Sequence, residues 1–197
     1  MIVLQHGDVP RRSGPAVLLD RDGTLIEDVQ GYVRHPADIR LLPAAAAAAD
    51  SFDRLGASLA IVSNQAGIGR GVLSESAVVD LHARVVALLA AVGLRVSCSI
   101  LCPHREGEGC PCRKPAAGMV LAAMGLLGAP VGRAFLVGDA ARDVRAAWAA
   151  GAHPLLVQTG QGPQAREALR TERERPYDIV DDVAAAADLI GQRVRGR

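Results

Sequence analysis

Three short apolar runs along the chain stop abruptly at polar residues: Ala16-Val17-Leu18-Leu19 at Asp20, Leu59-Ala60-Ile61-Val62 at Ser63-Asn64, and Phe135-Leu136-Val137 at Gly138-Asp139. Runs this short and this uniformly apolar predict strands buried on both faces. Val96 to Leu101 reads as another strand. Between the runs the pattern turns helical. Pro43 to Leu55, closed by Gly56, and Ser74 to Val92, closed by Gly93, carry helix start and stop signals. In the second segment Val78, Leu81, Val85, Leu88, Leu89 and Val92 fall on one face, as an amphipathic crossover helix requires. Strands alternating with helices predict an α/β fold built on a doubly wound parallel sheet, whose strand carboxyl ends converge on one crevice.

Residues 1–14 mix Gly, Pro, Arg and Asp without a period and read as an irregular N-terminal arm; residues 15–197 read as a single domain. A chain of 197 residues, half of them apolar and 22% charged, can bury one substantial core. The most charged stretch, 161–176, is expected to form an exposed helix or connector. With 22 basic and 21 acidic residues the chain has no broad field to draw nucleic acid or an anionic membrane, so any anion specificity must be local. No apolar stretch approaches the ~20 residues needed to cross a bilayer, and no basic-then-apolar segment opens the sequence. The cytoplasm is the expected setting. Aromatics make up only 3% of the chain and no apolar patch stands out, which favours a monomer.

The chemistry is concentrated at the ends of the apolar runs. Asp20 and Asp22 lie two apart and precede Gly23, which allows backbone amides to approach an anion. One carboxylate can bind magnesium and attack phosphorus while the other exchanges a proton with the leaving oxygen. Ser63-Asn64-Gln65-Ala66-Gly67 offers a hydroxyl and turn amides for phosphoryl oxygens. Arg113-Lys114-Pro115 offers a cation, and Asp139 with Asp143 offers further carboxylates for magnesium. Cys102, His104, Cys110 and Cys112 supply three thiolates and one imidazole on a Gly-rich loop, 102–112, a complete tetrahedral set for structural zinc. This loop runs directly into Arg113-Lys114, so folding around zinc would set the lysine's position. Cys98, inside a strand pattern, reads as a buried, inert thiol.

Taken together and in this order, the four strand-end groups resemble the motifs of the haloacid dehalogenase superfamily of phosphohydrolases, over nearly the whole chain from residue 16. The resemblance implies that Asp20 is a covalent nucleophile and Asp22 the general acid and base. It implies that Ser63 binds phosphate, that Lys114 stabilises negative charge, and that Asp139 completes a magnesium site with Asp20 and the Asp22 carbonyl. Asp143 would either position a magnesium-bound water or cap the helix that follows. The Cys-Pro-His and Cys-x-Cys-Arg-Lys-Pro combination is similar to one branch, which contains heptose-bisphosphate 7-phosphatases and histidinol-phosphate phosphatases. Gly31-Tyr32-Val33 and Gly67-Ile68-Gly69-Arg70-Gly71 look more like the heptose enzymes. That likeness implies a small phosphorylated sugar as substrate, contacted by Asp28, Gly31, Tyr32, Asn64, Gln65 and Arg113. Ala140 departs from the pattern, because a lysine is common there in the heptose enzymes; Arg142 and Arg145 are the nearby cations.

Overall fold

A computed structural model of the chain describes residues 1–7, 13–29, 31–172 and 175–196. Among these, seven strands form one sheet in the order β1-β4-β3-β2-β5-β6-β7. The strands are β1 (Ile2–Gln5), β2 (Ala16–Leu19), β3 (Ser58–Asn64), β4 (Cys98–Cys102), β5 (Ala134–Gly138), β6 (His153–Val157) and β7 (Asp178–Val180). All neighbours pair in parallel except β1, which runs antiparallel to β4. The helices are α1 (Pro43–Arg54), α2 (Ala66–Gly69), α3 (Glu75–Ala91), α4 (Gly118–Leu127), α5 (Ala141–Ala150), α6 (Gly162–Ala168) and α7 (Val183–Arg195).

Alternation along each strand divides the core into two layers, because successive side chains point to opposite faces. Val17 and Leu19 of β2 and Leu59 and Ile61 of β3 pack with α1, α3 and α7. Ala16, Leu18, Ala60 and Val62, from the same strands, pack with α4 and α5 on the other face. The Ala44–Ala49 run of α1 shows why small residues serve here. Ala45, Ala48 and Ala49 are buried, and α1 lies against α7 through its own Ala186 and Ala187.

Two expectations need correction. The N-terminal arm is not irregular throughout: Ile2–Gln5 forms β1, paired with Cys98–Leu101. On this edge strand Ile2 and Leu4 are half-buried while Val3 and Gln5 are exposed, so its alternation does not follow the apolar–polar pattern of the sequence. It nonetheless covers the open edge of β4. Residues 8–12 of the expected arm lie outside the described residues. On α3, Val78, Leu81, Val85 and Leu89 are buried as the helical period requires, whereas Val92 is 36% exposed because the helix ends at Ala91 and the chain turns away at Gly93.

The chain leaves β2 for β3 on one side and later returns to β5 on its other side. The carboxyl end of β2 is therefore the point at which the winding reverses, where parallel sheets leave a crevice. Asp20 stands at that point.

Candidate active site

Asp20 follows the last residue of β2 and is 3% exposed. Its Oδ1 accepts a hydrogen bond from the Arg21 amide at 2.8 Å and lies 2.8 Å from the Lys114 Nζ. The same Nζ lies 2.7 Å from Asp143 Oδ1 and donates to the Val62 carbonyl at 2.7 Å. The three donors of this fully buried ammonium thus meet three acceptors. Lys114 belongs to the loop between β4 and α4, and Asn64 at the end of β3 clamps its backbone from both sides. Asn64 Nδ2 donates to the Lys114 carbonyl at 3.0 Å, and the Lys114 amide donates to Asn64 Oδ1 at 3.1 Å.

Asp20, Asp139 and Asp143 bring one carboxylate oxygen each within 4.8 Å of one another, and all three are buried. Asp139 is reached through Gly23 and Gly160, where a side chain on either would run into its carboxylate. Its Oδ2 accepts from the Gln161 amide at 2.8 Å, while the buried Oδ1 has no hydrogen-bond partner. Burial, then the charges of Asp20 and Asp143, pushes the Asp139 carboxyl up to about 8. Asp143 is raised as well, by burial before all else, against the opposing pull of Lys114. Burial disfavours the Lys114 ammonium, but Asp143 and Asp20 outweigh it and raise its pKa. Three buried carboxylates facing one ammonium carry excess negative charge, and with an oxygen left unpaired the cluster suits a small, hard divalent cation such as magnesium. Asp143 takes the capping role, since its Oδ2 also accepts the Ala140 amide at 3.0 Å at the start of α5.

Asp22 does not join this cluster through its side chain. Its carboxylate is gripped by the buried guanidinium of Arg21, with contacts of 2.9–3.2 Å, and faces Ser63 Oγ at 3.4 Å and Gln65 Nε2 at 3.3 Å. Gln65 also donates to Ser63 Oγ at 2.8 Å. Beside this network opens a cavity of about 210 Å³, lined by Asp22, Asp28, Gly31, Tyr32, Asn64, Gln65 and Arg113, together with Arg142 and Gln161. Every residue expected to contact substrate therefore lines that cavity, apart from Ser63, which lies buried behind Asp22.

The Cys/His loop forms a second cluster. Five of the six separations among its sulfurs and the His104 Nδ1 are 3.3–3.7 Å, and all four atoms lie within 4.8 Å of one another. A tetrahedron with ligand bonds of about 2.0–2.3 Å has edges of roughly 3.5–3.8 Å, so the four groups fit zinc. Burial pushes the Cys102 thiol up to about 12 and raises Cys112, a state that a bound cation would reverse. The loop is tied to the first cluster, because Arg113 donates to the His104 carbonyl at 3.2 Å and Cys102 pairs with Asn64 across β4 and β3. Cys98 is buried and its thiol is pushed up to about 11.

Sequence reasoning missed Arg21 and the Thr159-Gly160-Gln161 loop. Thr159 Oγ1 donates to the Gly23 carbonyl, and Gln161 Nε2 donates to Asp28 Oδ2 at 3.0 Å. The signal was of the kind already in use, since Leu155-Leu156-Val157 is an apolar run ending at polar residues. Pro154 within the strand obscured it.

The profile of HAD-hydrolase-like proteins matches residues 111–186. The chain is 36% identical to the D-glycero-beta-D-manno-heptose-1,7-bisphosphate 7-phosphatase of Pseudomonas putida, over 87% of this chain and 96% of that protein. It is also 36% identical to the D-glycero-D-manno-heptose-1,7-bisphosphate 7-phosphatase of Thermosynechococcus vestitus, over 89% and 95% respectively. Among solved structures, the D,D-heptose 1,7-bisphosphate phosphatase of B. bronchiseptica, complexed with magnesium and phosphate, matches with a TM-score of 0.81 and 30% identity, covering 91% of this chain and 99% of that one.

Proposed function

We propose that this chain, which belongs to the HAD-like hydrolase family and to its heptose-bisphosphate phosphatase branch, removes the 7-phosphate of D-glycero-D-manno-heptose 1,7-bisphosphate through a phosphorylated Asp20. The observation that carries the reading is the placement of Asp20, with Lys114 Nζ at 2.8 Å, beside a cavity lined by groups suited to a polar sugar phosphate. A carboxylate of Asp20 attacks the phosphorus of the 7-phosphate, and the bond from phosphorus to the sugar oxygen breaks. Asp22 gives its proton to that oxygen, releasing heptose 1-phosphate. Asp22, again a carboxylate, takes a proton from water; the water oxygen bonds to phosphorus, the bond to Asp20 breaks, and inorganic phosphate leaves. Arg21 and Gln65 hold Asp22 for both transfers, Ser63 steadies the phosphoryl oxygens once its hydroxyl turns from Asp22 to the phosphate, and Lys114 offsets the charge that gathers there.

Asp20, Asp139, Asp143 and the Asp22 carbonyl would hold magnesium, which supplies positive charge against the repulsion between carboxylate and phosphate. Cys102, His104, Cys110 and Cys112 would hold zinc in a closed, structural site. No described helix is long and apolar enough to cross a membrane. The exposed large apolar residues, such as Val3, Leu121, Val131 and Ile179, are spread over separate segments, which supports a monomer, and we place it in the cytoplasm.

The test is release of inorganic phosphate, with magnesium present, from heptose 1,7-bisphosphate and from histidinol phosphate. The bisphosphate is expected to be favoured at least tenfold in kcat/KM, and Asp20→Asn to leave no measurable turnover. A tenfold preference for histidinol phosphate, or wild-type rates in Asp20→Asn, would contradict the proposal.

A further inference from the structure

A bisphosphate substrate carries a second phosphate that must stay bound while the first is removed, and the proposed reaction assigns no group to it. Two cavities meet at the site: the one of about 210 Å³ beside Asp22, and another of about 670 Å³ between the Cys/His loop and the starts of α5 and α6. Among the described residues, three line both: Arg113, Arg142 and Gln161. The other cations of the larger cavity are engaged. Arg145 is held by Glu172 at 2.6 Å, Arg105 by Glu108 at 3.1 Å, and Lys114 by Asp20 and Asp143. Arg113 spends one donor on the His104 carbonyl.

Arg142 differs. Among the described residues it has no ion pair, and its hydrogen bond, at 3.4 Å, goes to the neutral side-chain oxygen of Gln161. Gln161 is itself fixed, by its amide on Asp139 and its side-chain nitrogen on Asp28. The guanidinium is thus half-buried, steered to the junction of the two cavities and left with most of its five donors for a ligand.

We infer that Arg142, beside Arg113, binds the phosphate that the reaction leaves on the sugar, and so sets the preference for a bisphosphate over a monophosphate. A planar guanidinium can grip a phosphate with two parallel hydrogen bonds. Gln161 is a positioning residue that aims Arg142 from the loop after β6. The inference rests on the proposed 7-phosphatase reading and sharpens it to a subsite.

The experiment compares wild type, Arg142→Gln and Arg142→Lys on heptose 1,7-bisphosphate and on heptose 7-phosphate, which lacks the second phosphate. Arg142→Gln is expected to raise KM for the bisphosphate at least tenfold, with a much smaller change for the monophosphate. Arg142→Lys should recover part of the loss, because it restores charge without the fork. Equal-fold losses on both substrates, or a bisphosphate KM within twofold of wild type in Arg142→Gln, would overturn the subsite. Wild-type protein that turns over neither sugar phosphate would instead remove the underlying reaction, and the subsite with it. If Arg142→Gln does not fold, a bisphosphate KM in Arg142→Lys equal to that of wild type counts against the paired guanidinium contact.

Discussion

Asp139 shows how much of the site is electrostatic tension held in by the fold. Its carboxyl is pushed up to about 8, whereas an ordinary one titrates near 3.8. Between those values the folded protein binds a proton that the unfolded chain has released, so stability falls as pH rises through that interval. Buried His82 works in the opposite direction below 6.5, since burial pushes it down to about 3, which leaves pH 6.5–8 as the clearest window. Protein freed of magnesium is expected to lose on the order of 1–2 kcal/mol of stability from pH 6.5 to 8, read by denaturant melts at each pH. Asp139→Asn should flatten that slope; an unchanged slope in the variant would rule out Asp139 as its source. At this scale the sequence marked the carboxylates well, because Asp20 and Asp139 each follow an apolar run and strand ends converge. It did not mark Arg21 or Gln161. Arg21 grips the adjacent Asp22, but only its burial in the fold gives that contact weight, and the role of Gln161 comes from a neighbour distant in the chain, Asp28.

At the scale of elements, the proposed zinc site on the loop of residues 102–112 would couple metal binding to the position of Lys114. Cys112 lies two residues before Lys114, and Asn64 both pairs with Cys102 across the sheet and clamps the Lys114 backbone. Cys112→Ser is therefore expected to lower the melting temperature by about 4–8 °C, the equivalent of roughly 2 kcal/mol for a chain of this size, and to reduce kcat as Lys114 loosens. Zinc content near one atom per chain in wild type and unchanged melting in the variant would contradict the mechanical coupling. The central strands and the helices α1 and α3 were legible from periodicity alone. β1, β6 and β7 were not: β1 is a short edge strand, β6 contains Pro154, and β7 has only three residues. Each depends on a partner strand already in place rather than on its own pattern.

Over the whole molecule, the reversal of winding at β2 gathers groups from chain positions as far apart as Asp20 and Gln161 into one crevice, while a net charge near +1 leaves capture of an anionic substrate to local cations. With the phosphate to be removed against Asp20 and the phosphate to be kept against Arg142, as proposed above, the reaction should be regiospecific. Phosphorus NMR of D-glycero-D-manno-heptose 1,7-bisphosphate incubated with the protein and magnesium tests this directly. Loss of the 7-phosphate signal with the 1-phosphate signal intact, as inorganic phosphate grows in, is the predicted result. Loss of the 1-phosphate first, or no change in either signal, would contradict it.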